Sequence, residues 1–274
     1  MDFNTKLNRL SVPHEWSWIF TLGLGKAYGQ HILGNKEIKI STFPEAYPFF
    51  YFLPKKNILE AKTLRYGVAS WGVYEKDFNP KRRWGDEWTP PPLKEHYKGK
   101  IISNKPIITI NNKYNPEWGP QIPFNYLSLD FIESFIKEFS DQYQIIYIRH
   151  DKKFKQEGYY DDVLGLDLGD YKLLESYPQV KTIYDIMETK KIGFNLAQLE
   201  ILAASKQVIS VNGGSACLSA YFGEDVMIYG AKDCKSTSRG IWKTDSWLKE
   251  LSGANILGFL DEKKLIETAK QRWL

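Results

Sequence analysis

Apolar residues fall along this chain in two patterns. Some form short continuous runs bounded by turn residues, and others recur every three or four positions. From Lys105 onward the two patterns alternate. The run 106–111 (PIITIN) predicts a buried strand. The segment 129–139 predicts a helix, with Ser128 or Asp130 near its start and Glu133 in its first turn. Further strands are predicted at 144–148 (QIIYI), 163–168, 180–184, 207–211 (QVISV) and 225–229 (DVMIY). Helices are predicted at 195–205 (NLAQLEILAAS), amphipathic and capped by Asn195, at 215–222 and at 261–274. Strands alternating with helices of about ten residues specify βαβ units and a parallel sheet covered on both faces. Ligands of such sheets bind beyond the carboxyl ends of the strands.

The first hundred residues carry a weaker α/β pattern. A helix is predicted at 17–28, and strands at 37–42 (EIKIST), 49–53 and 63–69. The segment 79–92 (NPKRRWGDEWTPPP) gathers breakers and charges without periodicity and reads as a linker. The expected division is a reduced N-terminal lobe, residues 1–100, and a larger lobe, residues 101–274.

Composition narrows the class. A chain of 274 residues is long for one minimal domain and short for two full ones. Its 43% hydrophobic and 26% charged residues are ordinary for globular proteins and exclude disorder, collagen and coiled coil. Two cysteines, Cys217 and Cys234, make no disulfide framework. The start MDFNTKLNRLSVP lacks the apolar run of a signal peptide, and the apolar stretch 43–54 is broken by three prolines. A cytoplasmic location is expected.

The net charge of +4 is uneven: residues 1–100 carry +6 and residues 101–274 carry −2. The excess lies near Lys81-Arg82-Arg83 and 94–100. Such a patch suits a solvated loop, and equally a phosphate-bearing partner or peripheral contact with an anionic membrane surface. Nucleic acid is not an expected partner, because no groove-reading or base-stacking motif is present. Nine Trp and seventeen Tyr supply faces that suit sugar rings, although most belong to a core.

The segment 195–230 (NLAQLEILAASKQVISVNGGSACLSAYFGEDVMIYG) carries the chemistry. It reads helix, strand, turn, helix, strand. The turn is Asn212-Gly213-Gly214-Ser215. Two glycines let backbone approach a ligand closely, and the helix that follows aims its free N–H groups at the same point. Gly-Gly also suits a tight turn that holds nothing.

This segment resembles the donor-binding half of GT-B glycosyltransferases, above all heptosyltransferase-like and polysaccharide-building ones. The features are the N-x-x-Q-L helix, the I-S-V-x-G-G turn, a helix of small residues, and Gly223–Gly230, which reads G-x-x-V-x-x-x-G, one position shorter than the family's G-x-x-V-x-x-x-x-G. Element order resembles that half over about 105–260, and the specific likeness covers 195–230. The fold it implies is α/β, with two Rossmann-like lobes (GT-B-like), the N-terminal one reduced. The function it implies is transfer of a sugar from a nucleotide-sugar donor to a glycan or lipid-linked acceptor.

The family's diphosphate site maps onto Gly213, Gly214 and Ser215. Lys113 is the cation that follows the first strand of the larger lobe. Arg149, in YIRHD, ends the second strand, and Lys232 lies in the loop after 225–229, with Lys235 and Arg239. Gln198 is expected to close the nucleotide pocket, although Asn195 with Gln198 equally suits a helix cap. The family's acidic residue and histidine in the turn are replaced here by Asn212 and Cys217. Inverting transfer needs a base for the acceptor hydroxyl, and His14 and Glu15 are the first candidates, ahead of His31 and Glu45. There is no Asp-x-Asp before a strand and no histidine pair, so no metal and no cofactor are expected. The alternatives are a nucleotide-sugar epimerase or pyruvyl transferase of the same architecture, or a non-catalytic sugar- or nucleotide-binding module.

Overall fold

The computed structural model describes residues 9–11, 20, 23–42, 45–60, 88–116, 123, 125–150, 166–230 and 253–274. Among these, two parallel sheets form. The smaller has the order β1 (Arg9–Ser11), β2 (Lys39–Thr42), β3 (Ile58–Glu60). The larger runs β6-β5-β4-β7-β8-β9, from β4 (Ile107–Asn111), β5 (Gln144–Ile148), β6 (Lys181–Thr182), β7 (Ser205–Val211), β8 (Asp225–Tyr229) and β9 (Asn255–Phe259). All five pairings in the larger sheet are parallel. The chain starts at the centre, moves outward through β5 and β6, then returns to β7 beside β4. The strand order therefore reverses between β4 and β7.

Both faces of the larger sheet are covered, which is why its strands read as continuous apolar runs. Ile108, Ile110, Tyr147, Ile209 and Met227 pack under helix α3 (Leu129–Phe139) and helix α8 (Glu262–Trp273). The opposite face meets helix α5 (Ile183–Lys190) and helix α6 (Phe194–Ala204). A further apolar cluster runs from Leu24 of helix α1 (Leu24–Ile32) and Phe49 to Leu199, Cys217 and Val226. Its residues include helix α2 (Leu93–Tyr97) and the underside of helix α7 (Gly214–Ser219). Elements of both sequence halves thus share one core.

Several sequence expectations need correction. The run 49–53 is no strand: Tyr47–Phe50 forms a 3-10 turn, with Pro48 near its start. At 180–184 only Lys181–Thr182 pair. Thr182 then caps α5, its hydroxyl accepting from the Asp185 N–H while the Asp185 carboxylate accepts from the Thr182 N–H. Within 163–168, residues 166–168 form no strand. Helix α6 begins at Phe194, with Gly193 rather than Asn195 as N-cap. Nor is it amphipathic: nine of its eleven residues are buried, because two cores flank it. The predicted strand 63–69, residues 79–87 of the linker and residues 17–19, 21 and 22 of the helix predicted at 17–28 lie outside the described residues; residues 24–28 are helical, and the helix runs on to Ile32. Helix α4 (Asp170–Leu174) and strand β9 are additions.

Candidate functional site

The carboxyl ends of β4 and β7 flank the reversal of strand order, where an open α/β sheet leaves a crevice. Lys113 follows β4 and Gly213 follows β7. From Gln207 to Gly223 the chain is buried except at Gly213, Gly214 and Ser215, which form a window onto solvent. Gly213 has φ +140°, a conformation that favours glycine, and it serves as N-cap without a side-chain bond. The Lys113 amine lies 3.2 Å from the point a Cβ on Gly213 would take. An alanine here would strain the backbone and push that amine aside. Gly214 opens α7, so the residue with special backbone geometry is the first glycine of the pair.

Both sides of this contact are fastened. The Asn112 side chain uses its full hydrogen-bonding capacity. Its Nδ2 donates to the Leu127 carbonyl (3.1 Å) and to Tyr147 Oη (3.0 Å). Its Oδ1 accepts from the Lys113 N–H and the Leu127 N–H, each at 2.9 Å. Asn125 Nδ2 donates at 3.2 Å to the carbonyl of Asn212, the peptide that leads into Gly213.

Arg149 lies one strand away. It is fully buried, and its guanidinium forms two bonds with the equally buried Asp170, Nε to Oδ2 at 2.5 Å and Nη2 to Oδ1 at 2.7 Å. Nη1 donates to the carbonyls of His150 and Leu166, each at 2.9 Å. Burial works against the charge, but the bonds and charge of Asp170 outweigh it and hold the Arg149 pKa above its ordinary value. Tyr147 Oη donates to Asp170 Oδ2 at 2.6 Å, and burial followed by that carboxylate raises its pKa. Arg149 is thus placed within the protein, with Asp170 as its counter-ion.

Helix α6 also reaches this edge. Phe194 stacks on His150, their ring centroids 3.8 Å apart. Asn195 Nδ2 donates at 2.9 Å to the carbonyl of Glu45, a residue with φ +58°. Gln198 lies one turn further along and is buried. Buried polar atoms without a hydrogen-bond partner among the described residues include Thr42 Oγ1 at the end of β2, Asn111 Nδ2 at the end of β4, Asn195 Oδ1 in α6 and Gln207 Oε1 in β7. Cys217 lies beneath the turn, where burial pushes its thiol up to about 12, so it stays a protonated, unreactive core residue. Among the described residues, no three His, Cys, Asp or Glu side chains converge on a metal position. His14, Glu15 and Lys232 lie outside the described residues. Of the other base candidates, Glu45 is bonded to the carboxyl edge through its carbonyl, while His31 stacks on Tyr28 and meets Lys36.

Sequence reasoning overlooked Asn112, Asn125 and Asp170. Polar residues directly after a buried strand were the available signal, because a fully buried amide or carboxylate must find partners.

A parallel sheet covered on both faces, with order 6-5-4-7-8-9 and a glycine turn at its reversal, defines a doubly wound α/β protein. Among solved structures, the glycosyl transferase family 9 protein of Veillonella parvula DSM 2008 is similar over 99% of this chain and 91% of its own, with TM-score 0.51 and 7% identity. The chain therefore has a glycosyltransferase (GT-B) type of fold. The wall teichoic acid polymerase TagF aligns over 85% of this chain and 48% of its own, with TM-score 0.32 and 13% identity, which adds nothing to the assignment. No protein-family model matches the sequence, and no curated protein sequence does.

Proposed function

We propose that the chain is a metal-independent, inverting glycosyltransferase that uses a nucleotide-sugar donor and a glycan or lipid-linked acceptor. One observation carries this reading: Lys113 Nζ sits against Gly213 where the strand order reverses. A cation facing a bare glycine backbone and the first N–H groups of a helix is a fitting place for a diphosphate. Gly213, Gly214 and Ser215 contact the diphosphate, Lys113 neutralises it, and Gln198 and Lys232 border the donor. In the reaction the acceptor oxygen gives its proton to a base, His14 or Glu15, and bonds to the anomeric carbon. The bond from that carbon to the diphosphate oxygen breaks, and the nucleoside diphosphate leaves with the electron pair. Arg149 enters this reading through the architecture behind Lys113 rather than as a donor contact.

Residues 1–100 form the acceptor-side lobe and residues 101–274 the donor lobe. The protein works in the cytoplasm and touches a membrane through its basic N-terminal part. In support of that contact, Ile32 and Leu33 are 52% and 64% exposed beside Lys36. No helix among the described residues is long and apolar enough to cross a membrane.

The test is calorimetric titration with UDP, GDP, ADP, dTDP and CMP, then with the matching sugar nucleotides plus EDTA. The expected result is one tight nucleotide, with Gly214→Val abolishing binding in a protein that still folds. Normal binding by folded Gly214→Val would remove the diphosphate from this turn. Nucleotide release on adding acceptor separates an enzyme from a binding module, and a strict need for Mg²⁺ or Mn²⁺ would overturn metal independence.

A further inference from the structure

The route that fixes Lys113 has two branches, and both end on the same buried ion pair. On the N-terminal side, the Lys113 N–H donates to Asn112 Oδ1, Asn112 Nδ2 donates to Tyr147 Oη, and Tyr147 Oη donates to Asp170 Oδ2. On the C-terminal side, the carbonyl of Tyr114 accepts from the Leu166 N–H at 2.6 Å. The Leu166 carbonyl accepts in turn from Arg149 Nη1. One residue is therefore held by its own N–H and by the next residue's carbonyl. Asp170 and Arg149, which close the two branches, are bonded to each other.

The glycine side joins the same frame. Asn112 takes both the N–H and the carbonyl of Leu127. Asn125, two residues before Leu127, donates to the carbonyl of Asn212. A single stretch, 125–127, thus ties the loop after β4 to the loop after β7. Asn112, Asn125, Tyr147, Arg149 and Asp170 are each no more than 4% exposed, so water does not compete for these bonds.

We infer that Asn112, Tyr147 and the Arg149–Asp170 pair are positioning residues: they fix the backbone from which Lys113 reaches the Gly213 turn. This rests on the reading of Lys113 and Gly213 as an anion site. Without the frame, Lys113 retains its charge but the backbone that carries it can shift, and each anion bound must then pay the cost of ordering it. The frame explains why a cation near the strand end is fully buried in an ion pair of its own: it serves another cation by anchoring two backbone groups.

The experiment is a set of double-mutant cycles read by titration calorimetry with inorganic pyrophosphate. The proteins are wild type, Lys113→Ala, Tyr147→Phe, Asn112→Ala, and each of the last two combined with Lys113→Ala. Melting curves establish that each is folded. Lys113→Ala is expected to weaken pyrophosphate binding at least about tenfold, the size of a lost hydrogen bond to a charged group. Tyr147→Phe, which keeps its ring in the core, is expected to weaken it about three- to tenfold, and Asn112→Ala by more. In the Lys113→Ala background both losses should vanish, which a general loosening of the fold would not produce. If Lys113→Ala binds like wild type, or wild type does not bind, the anion site itself is wrong. If Lys113→Ala weakens binding while Tyr147→Phe and Asn112→Ala do not, or weaken it equally in both backgrounds, the site stands and the positioning role falls. Should Tyr147→Phe fail to fold, the Asn112→Ala cycle decides alone.

Discussion

Lys113 and Arg149 occupy matching places, each within two residues of the carboxyl end of a neighbouring strand, β4 or β5. Their environments are opposite. Arg149 is fully buried and matched to Asp170 by two side-chain bonds. Lys113 is partly exposed, its amine set beside a glycine that leaves room for something else. A cation after a strand is thus two different devices depending on whether it is shut inside the fold or stands at the solvent-facing turn. Shut inside, Arg149 with Asp170 holds the fold. Where the cation lies beside a partly exposed glycine turn, solvent and solutes reach it.

The sharpest way to break this contrast is Asp170→Ala, which strands a buried guanidinium. A loss of about 3–5 kcal/mol is expected in urea unfolding. A double variant, Arg149→Met with Asp170→Leu, should regain much of that stability while pyrophosphate binding stays weak, because stability and positioning part company once the pair is gone. Gly213→Ala comes next, at about 1–3 kcal/mol from its backbone conformation, with ligand binding lost as Lys113 is displaced. Lys113→Ala should cost clearly less stability than Asp170→Ala while removing anion binding. Equal destabilisation by Lys113→Ala and Asp170→Ala would end the distinction between the two cations.

The smallest effect lies at His31, away from both. Burial, followed by the Lys36 ammonium 3.1 Å from Nε2, lowers its pKa below 6.5. The fold prefers the neutral ring, so this contribution is present above pH 6.5 and is lost as pH falls through the lower folded value. Melting temperatures at pH 7.5 and 5.5 should therefore differ slightly less in His31→Gln than in wild type.

Four strands of the larger sheet, β4, β5, β7 and β8, were legible because they are mostly buried, whereas the half-exposed edge strand β9 was not. PIITIN, QIIYI, QVISV and DVMIY admit little but a central strand, and Ser128 and Asp261 cap their helices through their own side chains. Of the smaller sheet only β2 was legible, within the strand expected at 37–42; β1 and β3 are three residues long and carry too short a pattern to register. Asn195 misled because Asn is a good cap by type; here its amide is drawn across to the Glu45 carbonyl. At the site, Gly213 and Lys113 were readable from turn chemistry and strand position. The task of Arg149 was not, since its partner Asp170 lies 21 residues on and only the fold brings the two together.

Ala204 ends α6 and Ser205 begins β7 with no residue between them. The Ser205 hydroxyl donates back to the Ile201 carbonyl at 2.7 Å and meets Thr109 Oγ1 at 2.6 Å, so the joint has no slack. β7 already carries one extra residue there, Lys206, between the pairings Ile107–Ser205 and Ile108–Gln207, so a further amino acid inserted at the joint would slide the strand. One step of slip turns every side chain of β7 to the opposite face and carries Gly213 about 3.3 Å away from Lys113. The count of residues from Phe194 to Ser215 is therefore a fixed quantity of this protein. Insertions and deletions are barred there more strictly than substitutions are, and length should vary among functional variants only outside that stretch.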